Sequence, residues 1–266
     1  MSFLSSAFSS ANWLRDQLFD RINSTCLAVL RAGPIPQHVA FVMDGNRRYA
    51  RIKGMKVIQG HVDGFVALRR VLEICSSLDI KFVSVYAFAI DNFKRPKEEV
   101  DGLMHLAENA LLDLCTRGGL LAEHGVRLNT VGRTDLFPPE VQAALAKAEE
   151  LTKDNHRAVL NLCMPYSSRD EIAMAVEETV HVALLEGRTE PITEKDIEDH
   201  LMTTKVNSPP LDILIRTSGV KRLSDFLLWQ CNDNTQIHFI DTFWPDMGLF
   251  DLLPIMLGYQ RKVWSQ

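Results

Sequence analysis

The chain has 266 residues, of which 46% are hydrophobic and 24% charged. That is enough for one α/β domain of ordinary size, with a core that needs neither disulfide nor metal to be stable. The formal net charge is −5, which argues against a nucleic-acid binder because those carry a basic stripe; any anion bound here must be held by a local cluster of positive side chains.

Residues 1–32 differ from the rest of the chain. Trp13, Leu14, Leu18, Phe19, Ile22, Leu27 and Leu30 recur at helical spacing, with Arg15, Asp16, Asp20 and Arg21 between them, which predicts an amphipathic helix. Two readings stand for it: a helix packed on the body or on a partner, or an anchor at a membrane surface. The first residues lack the basic start and continuous apolar run of a secretory signal. The longest apolar run, Phe82 to Ile90, is too short to span a bilayer. The five cysteines, Cys26, Cys75, Cys115, Cys163 and Cys231, include no C-x-x-C, a pattern of buried thiols in a reducing compartment and not of a disulfide scaffold or zinc site.

Gly33-Pro34-Ile35-Pro36 ends the extension, and residues 33–266 read as one domain. Strands are predicted over 39–43, 81–89, 126–131, 158–163, 211–215 and 236–240. Helices are predicted over 60–78, 96–121, 139–153, 193–202 and 248–264, with another opened by the capping-box spacing of Ser168-Arg169-Asp170-Glu171. Strand–helix alternation with short apolar strands predicts a single α/β domain with a mostly parallel six-stranded sheet flanked by helices. In such sheets ligands bind beyond the carboxyl ends of the strands, and three strand ends are unusual.

The first strand runs into Asp44-Gly45-Asn46-Arg47-Arg48-Tyr49. From Asp44 to Lys56 there are five basic residues, Arg47, Arg48, Arg51, Lys53 and Lys56, against one acid. Glycine lets backbone N–H groups approach a phosphate, arginine forks bind its oxygens in pairs, and a carboxylate is a hard ligand for Mg²⁺. A lone aspartate would be an ordinary solvated turn; one carboxylate, a glycine and two adjacent arginines point to a diphosphate with a metal. His61, after Gly60 at a helix start, can donate to phosphate. The second strand is followed by Asp91, Asn92, Phe93, Lys94, Arg95 and Pro96. Arg95 can reach a phosphate, Asn92 can orient a substrate or take part in proton transfer, and Phe88 and Phe93 offer apolar surface. The segment alone also suits a polar loop with two packed aromatics. The third strand ends on Arg216-Thr217-Ser218-Gly219, with Lys221, Arg222 and Ser224 following, a second candidate phosphate pocket.

These stretches together resemble the cis-prenyltransferases, the undecaprenyl and dehydrodolichyl diphosphate synthases. The resemblance rests on His38 to Arg48, Gly60-His61, Tyr86 to Pro96 with Glu99-Val100, Arg216-Thr217 through Arg222 to Gln230, and Trp244-Pro245. It covers about residues 34 to 250. Arg47 and Phe93 look like the eukaryotic, dolichol-type branch. The resemblance implies elongation of farnesyl diphosphate by isopentenyl diphosphate with cis double bonds, for dolichol and protein glycosylation. Asp44 would hold Mg²⁺ and help diphosphate departure, and Asn92 would stand where proton handling is assigned, unless the diphosphate is itself the base. Gly45, Asn46, Arg47, Arg48, Tyr49, His61, Phe93 and Arg95 would hold the allylic substrate; Arg216, Arg222 and Ser224 would hold isopentenyl diphosphate. An apolar tunnel would take the tail, with Leu103, Met104, Ala107, Ala110, Leu111 and Leu114 as candidates or as ordinary core. The enzyme would lie peripherally on the cytosolic face of the endoplasmic reticulum membrane and bind no nucleic acid.

The sequence also departs from the bacterial pattern. Gln236 stands where a second acid is expected, Val57 where an arginine is expected (Lys56 can compensate), and Val220 replaces a common glutamate. Residues 260–266 lack an R-x-G motif. By resemblance, a Nogo-B-receptor-like partner subunit would supply it. Two other readings are a non-catalytic scaffold subunit and a specialised polyprenol or rubber-type synthase. A Rossmann oxidoreductase is excluded, since no G-x-G-x-x-G follows the first strand.

Overall fold

The computed structural model describes residues 17–18, 21–116 and 118–265. Six strands form one sheet: β1 (His38–Val42), β2 (Phe82–Tyr86), β3 (Val126–Val131), β4 (Ala158–Cys163), β5 (Ile213–Arg216) and β6 (Gln236–Phe239). Their order is β3-β4-β2-β1-β5-β6, and every pairing is parallel. The expected fold class is therefore observed, and β3 and β4 have the predicted limits.

Side chains alternate faces along a strand, and over the central strands β1 and β5 both faces are covered. Val39 and Phe41 of β1 and Ile213 and Ile215 of β5 enter one core, together with residues of the helices α3 (Val57–Ser77), α4 (Lys97–Cys115), α6 (Pro139–Thr152) and α10 (Leu249–Trp264). Ala40, Val42 and Leu214 enter a second core on the opposite face, with Tyr166, Phe226 and Leu227. Burial on both sides explains why the strands read as unbroken apolar runs.

The remaining helices are α1 (21–31), α2 (Asn46–Ile52), α5 (Leu120–Glu123), α7 (Ser168–Leu185), α8 (Glu194–Asp199) and α9 (Met202–Lys205). The end of α1 packs on the body: Leu30 is fully buried, its carbonyl accepts from Gln260 Nε2 at 2.6 Å, and Arg31 Nε donates to the Ser77 carbonyl at 2.6 Å. Trp13, Leu14 and Phe19, on which the amphipathic reading also rested, lie outside the described residues.

Four local expectations are corrected. The helix predicted over 96–121 stops at Cys115, where Thr116 turns extended with ψ 168°; Gly118 at φ 83° and Gly119, where a Cβ would lie 2.3 Å from the Asp113 carbonyl oxygen, then carry the chain into α5. The strand predicted over 81–89 ends at Tyr86, and Ile90–Lys94 forms a 3₁₀ turn. The helix predicted over 193–202 is two short helices, α8 and α9. Ser168 is not the cap of α7; Ser167 takes that position and its hydroxyl donates to Asp225.

One contact fixes the geometry of the later site. A Cβ on Gly60 would lie 2.3 Å from the Asn46 carbonyl oxygen, and one on Gly64 would lie 2.6 Å from Asn46 Oδ1. These two glycines, one turn apart on α3, let α2 lie directly against it. Gly60→Ala is expected to force the two helices apart and to cost about 1–3 kcal/mol, the usual cost of overpacking. Urea unfolding measures it, and an unchanged midpoint would show that α2 shifts freely.

Candidate active site

The site lies where β1 is flanked by β2 on one side and β5 on the other. Val42 is level with Tyr86 and with Arg216, so three parallel strands release their next residues at one height. The sheet order reverses across β1, the place where open parallel sheets form ligand crevices.

At the end of β1, Thr217 Oγ1 donates to the Asp44 carbonyl at 2.7 Å and lies 3.0 Å from the Asp44 N–H. Gly45 has φ 106°, and a Cβ there would lie 2.6 Å from the Phe243 ring, so glycine is required both by conformation and by space. This turn aims the Asp44 carboxylate inward. Its Oδ1 accepts from Gly45 N–H at 2.7 Å and its Oδ2 from Arg216 Nη2 at 2.8 Å, with Arg48 Nη2 at 3.6 Å. Burial raises the Asp44 carboxyl, but the hydrogen bond and charge of Arg216, with Gly45 N–H and Arg48, outweigh it and hold the group below the usual carboxylate range.

Arg216, whose side chain is 4% exposed, carries the connection onward. Its Nη1 donates to Ser224 Oγ at 2.6 Å and to the Arg222 carbonyl, and Arg222 Nε donates to Ser224 Oγ at 3.0 Å. Arg48 donates to the Ser218 carbonyl at 3.1 Å and to its hydroxyl, and its guanidinium lies over the Phe243 ring at 5.6 Å. The first and third strand ends are thus one connected group.

The second strand end meets α2 and α3 through Glu99. Its Oε1 accepts from Arg95 Nη1 at 2.9 Å and lies 3.8 Å from Arg47 Nη1 and 4.0 Å from His61 Nε2. Asn92 Oδ1 accepts from Ala89 N–H at 3.1 Å and so holds the 3₁₀ turn.

Two spaces open here. A polar cavity of about 590 Å³ is lined by Asp44, Asn46, Arg47, His61, Asn92, Arg95, Arg216, Arg222 and Ser224. A second, smaller polar cavity adjoins it and adds Gly45 and Arg48. An apolar cavity of about 130 Å³ runs inward between α3, α4 and the sheet. All six tail-tunnel candidates, Leu103, Met104, Ala107, Ala110, Leu111 and Leu114, line it. Met43, Asn46, His61, Ala87 and Leu103 belong to both the larger polar cavity and the apolar one. Three of the buried polar atoms that make no hydrogen bond among the described residues, Asn46 Oδ1, His61 Nε2 and Arg216 Nε, belong to residues of these walls.

Two predicted residues are not brought to these walls. The Tyr49 hydroxyl accepts from Lys53 Nζ at 2.8 Å and its ring is buried. Phe93 packs edge-on against Phe88 at 4.9 Å and Phe137 at 5.9 Å, behind the cavity. Gln236 starts β6, three residues before Phe239, which is level with Arg216; at about 3.3 Å per residue it lies roughly 10 Å from that level. Sequence reasoning gave no role to Glu99, Arg169, Ser218 or Asp225. Ser218, Arg169 and Asp225 find their partners in distant segments, so no local pattern marks them; Glu99 has one local partner, Arg95 four residues before it, and two remote ones, Arg47 and His61, and the acid in the first turn after Pro96 was its visible signal.

The comparisons with known proteins agree with this geometry. Residues 42–264 match the family model described as "Putative undecaprenyl diphosphate synthase". The chain belongs to the cis-prenyltransferase family. A dehydrodolichyl diphosphate synthase complex subunit of Schizosaccharomyces pombe is 46% identical over 91% of this chain and 92% of its own length. The human dehydrodolichyl diphosphate synthase complex subunit is 40% identical, covering 94% of this chain and 75% of that protein. Among solved structures, lavandulyl diphosphate synthase from Lavandula x intermedia, in complex with dimethylallyl diphosphate, superposes with a TM-score of 0.79 at 32% identity, over 85% of this chain and 95% of that one. As a cis-prenyltransferase the chain is a transferase of prenyl groups.

His61 offers a direct test of the site's electrostatics. Burial first, then the charge of Arg95, with Arg47 adding and Glu99 opposing, lowers it to about 4 from 6.5. The unfolded chain therefore takes up this proton at a higher pH than the folded chain. His61's contribution to stability is complete above pH 6.5 and is lost as pH falls towards 4, by an amount on the order of 3 kcal/mol. Urea unfolding across that window should show a shallower pH dependence in His61→Gln than in the wild type. Equal slopes would count against a depressed His61.

Proposed function

We propose that the chain condenses farnesyl diphosphate with successive isopentenyl diphosphates to give a long-chain, dehydrodolichyl-type polyprenyl diphosphate for dolichol synthesis. The observation that carries this reading is the shared wall. A cavity lined by arginines opens into an apolar one through Met43, Asn46, His61, Ala87 and Leu103, which is the shape of a ligand with a charged head and an apolar tail. The names of the relatives, dehydrodolichyl diphosphate synthase complex subunits, support the product class.

The allylic diphosphate is assigned to Gly45, Asn46, Arg47, Arg48, His61 and Arg95, with its tail between α3 and α4. Isopentenyl diphosphate is assigned to Arg216, Arg222 and Ser224. Tyr49 and Phe93 act from behind, as packing for α2 and for Phe88. Breaking the allylic carbon–oxygen bond leaves negative charge on the departing diphosphate, and fixed arginines stabilise it in place. The double bond of isopentenyl diphosphate then attacks the allylic carbon and a proton leaves. Asn92 spends its carbonyl oxygen on Ala89 N–H, so it offers a substrate its NH₂ group. It is a donor that orients the diphosphate, and a diphosphate oxygen takes the proton.

Mg²⁺ fits the site in one way. Among the described residues no group of three His, Cys, Asp or Glu is placed to hold a metal. Asp44 faces the cavity beside the arginines, so Asp44 and diphosphate oxygens would supply the ligands, the mode this ion prefers. When bound, the ion neutralises charge on the leaving group.

A partner subunit is part of the proposal. Relatives are named as complex subunits, and the edge strand β6 leaves Ile237 and Phe239 more than a third exposed, an open edge that another chain can cover. The partner is assigned as a Nogo-B-receptor-like chain carrying R-x-G. We assign the complex to the endoplasmic reticulum membrane, held peripherally; no helix among the described residues is long and apolar enough to cross a membrane.

The test is elongation of labelled isopentenyl diphosphate on farnesyl diphosphate with Mg²⁺. Asp44→Ala should lose at least about a hundredfold in kcat; retention within about tenfold, roughly 1.4 kcal/mol of barrier, would remove Asp44 from the metal role. Chelation should abolish turnover and added Mg²⁺ should restore it. Strong elongation by the chain alone would refute the need for a partner.

A further inference from the structure

Between Arg222 and Leu228 the backbone is strained. Ser224, Asp225 and Leu227 have φ of 52°, 63° and 47°, the left-handed region that residues other than glycine avoid. Such a conformation persists only where the surroundings over-determine it. Part of that restraint is apolar: Phe226 is fully buried and stacks on Tyr86, with centroids 4.4 Å apart and planes 9° apart.

The polar part converges on Asp225. Its carboxylate accepts from Arg169 N–H at 3.0 Å, from Arg169 Nε at 3.1 Å and from the Ser167 hydroxyl. Its carbonyl accepts from Ser168 N–H at 2.8 Å, and Leu228 N–H donates to Ser168 Oγ at 2.8 Å. Free N–H groups at a helix start are normally satisfied by the cap residue itself. In α7 the cap residue, Ser167, makes no such bond, and the acceptor comes from a loop 56 positions away. The same loop presents Ser224 Oγ to Arg216 and Arg222. The Asp225 side chain is 17% exposed, and its oxygens are committed to α7. A carboxylate would also repel a diphosphate, so Asp225 is not a substrate ligand.

We propose that Asp225 is a positioning residue: by capping α7 its carboxylate clamps the loop in the left-handed backbone that sets Ser224 and Arg222 beside Arg216, and this fixes the affinity of the isopentenyl diphosphate half-site. Without the clamp, the backbone at 224 and 225 relaxes to an ordinary region and carries both side chains away from Arg216. The inference rests on the assignment of isopentenyl diphosphate to this loop.

Steady-state kinetics on the full chain, purified with any subunit that accompanies it, test the clamp by varying each substrate in turn. Asp225→Ala is expected to raise KM for isopentenyl diphosphate about tenfold or more, with KM for farnesyl diphosphate within about twofold. Asp225→Asn keeps one oxygen and should restore much of the affinity. Asp225→Gly relieves the strain but removes the carboxylate; it should behave like alanine, and wild-type behaviour would overturn the proposal. Should Asp225→Ala fail to fold, Ser167→Ala, which deletes one donor, should still raise KM for isopentenyl diphosphate about threefold. Equal rises in both KM values, or a fall in kcat or melting temperature alone, would also overturn the clamp. Arg222→Ala separates the two levels: if it leaves KM for isopentenyl diphosphate unchanged, the substrate assignment fails and the clamp with it. If it raises that KM while the Asp225 variants do not, only the clamp fails.

Discussion

The contact between Asp44 and Arg216 holds this site together. A guanidinium that is 4% exposed has lost most of its water, a cost of several kcal/mol unless its N–H groups find acceptors. Nη1 and Nη2 find Asp44 Oδ2, Ser224 Oγ and the Arg222 carbonyl, and Nε alone finds none among the described residues. Each of these acceptors belongs to a different part of the site or to its loop, so satisfying one buried cation fixes the end of β1, the end of β5 and the segment beyond Lys221. It also keeps Asp44 ionised, the form that a divalent ion requires.

The site's charges are organised around three carboxylates. Asp44 sits beside Arg216 and Arg48, Glu99 beside Arg95, Arg47 and His61, and Asp225 beside Arg169. Like charges this crowded repel strongly at the low effective dielectric of a cleft. The acids make the cluster tolerable before a diphosphate binds, while the outer arginines stay solvated; the side chains of Arg47 and Arg48 are close to half exposed. A protein with net charge −5 can thus carry a cationic cleft.

Much of this was legible in the residues, for identifiable reasons. Strands buried on both faces give continuous apolar runs, so the sheet could be read, and β3 and β4 to the residue. The face Leu103, Met104, Ala107, Ala110, Leu111 and Leu114 repeats at helical spacing, so its common wall was readable too. The seven-residue helix α2 was missed, being too short for periodicity and densely charged. The break after Cys115 lies at Thr116, whose extended backbone has no helix-stop residue type to announce it, and the glycine pair that would mark a stop comes two residues later. The cap of α7 was misplaced by one residue because two serines stand side by side and the true acceptor, Asp225, is remote. Glu99 escaped assignment because, beside the neighbouring Arg95, its other partners Arg47 and His61 meet it only in space.

The glycine notch on α3 has a consequence for how such proteins can diverge. Gly60 and Gly64 seat α2, with its arginines, against the same helix that supplies His61, Phe65 and Leu68 to the apolar wall. Head and tail regions are therefore geared together on that side, and a change in α3 disturbs both. The far half of α4, from Ala107 to Leu114, lines the apolar space and neither polar cavity. Variation in hydrocarbon capacity therefore has a free side and a locked side, and lineages or engineers altering the one can leave the anion grip intact.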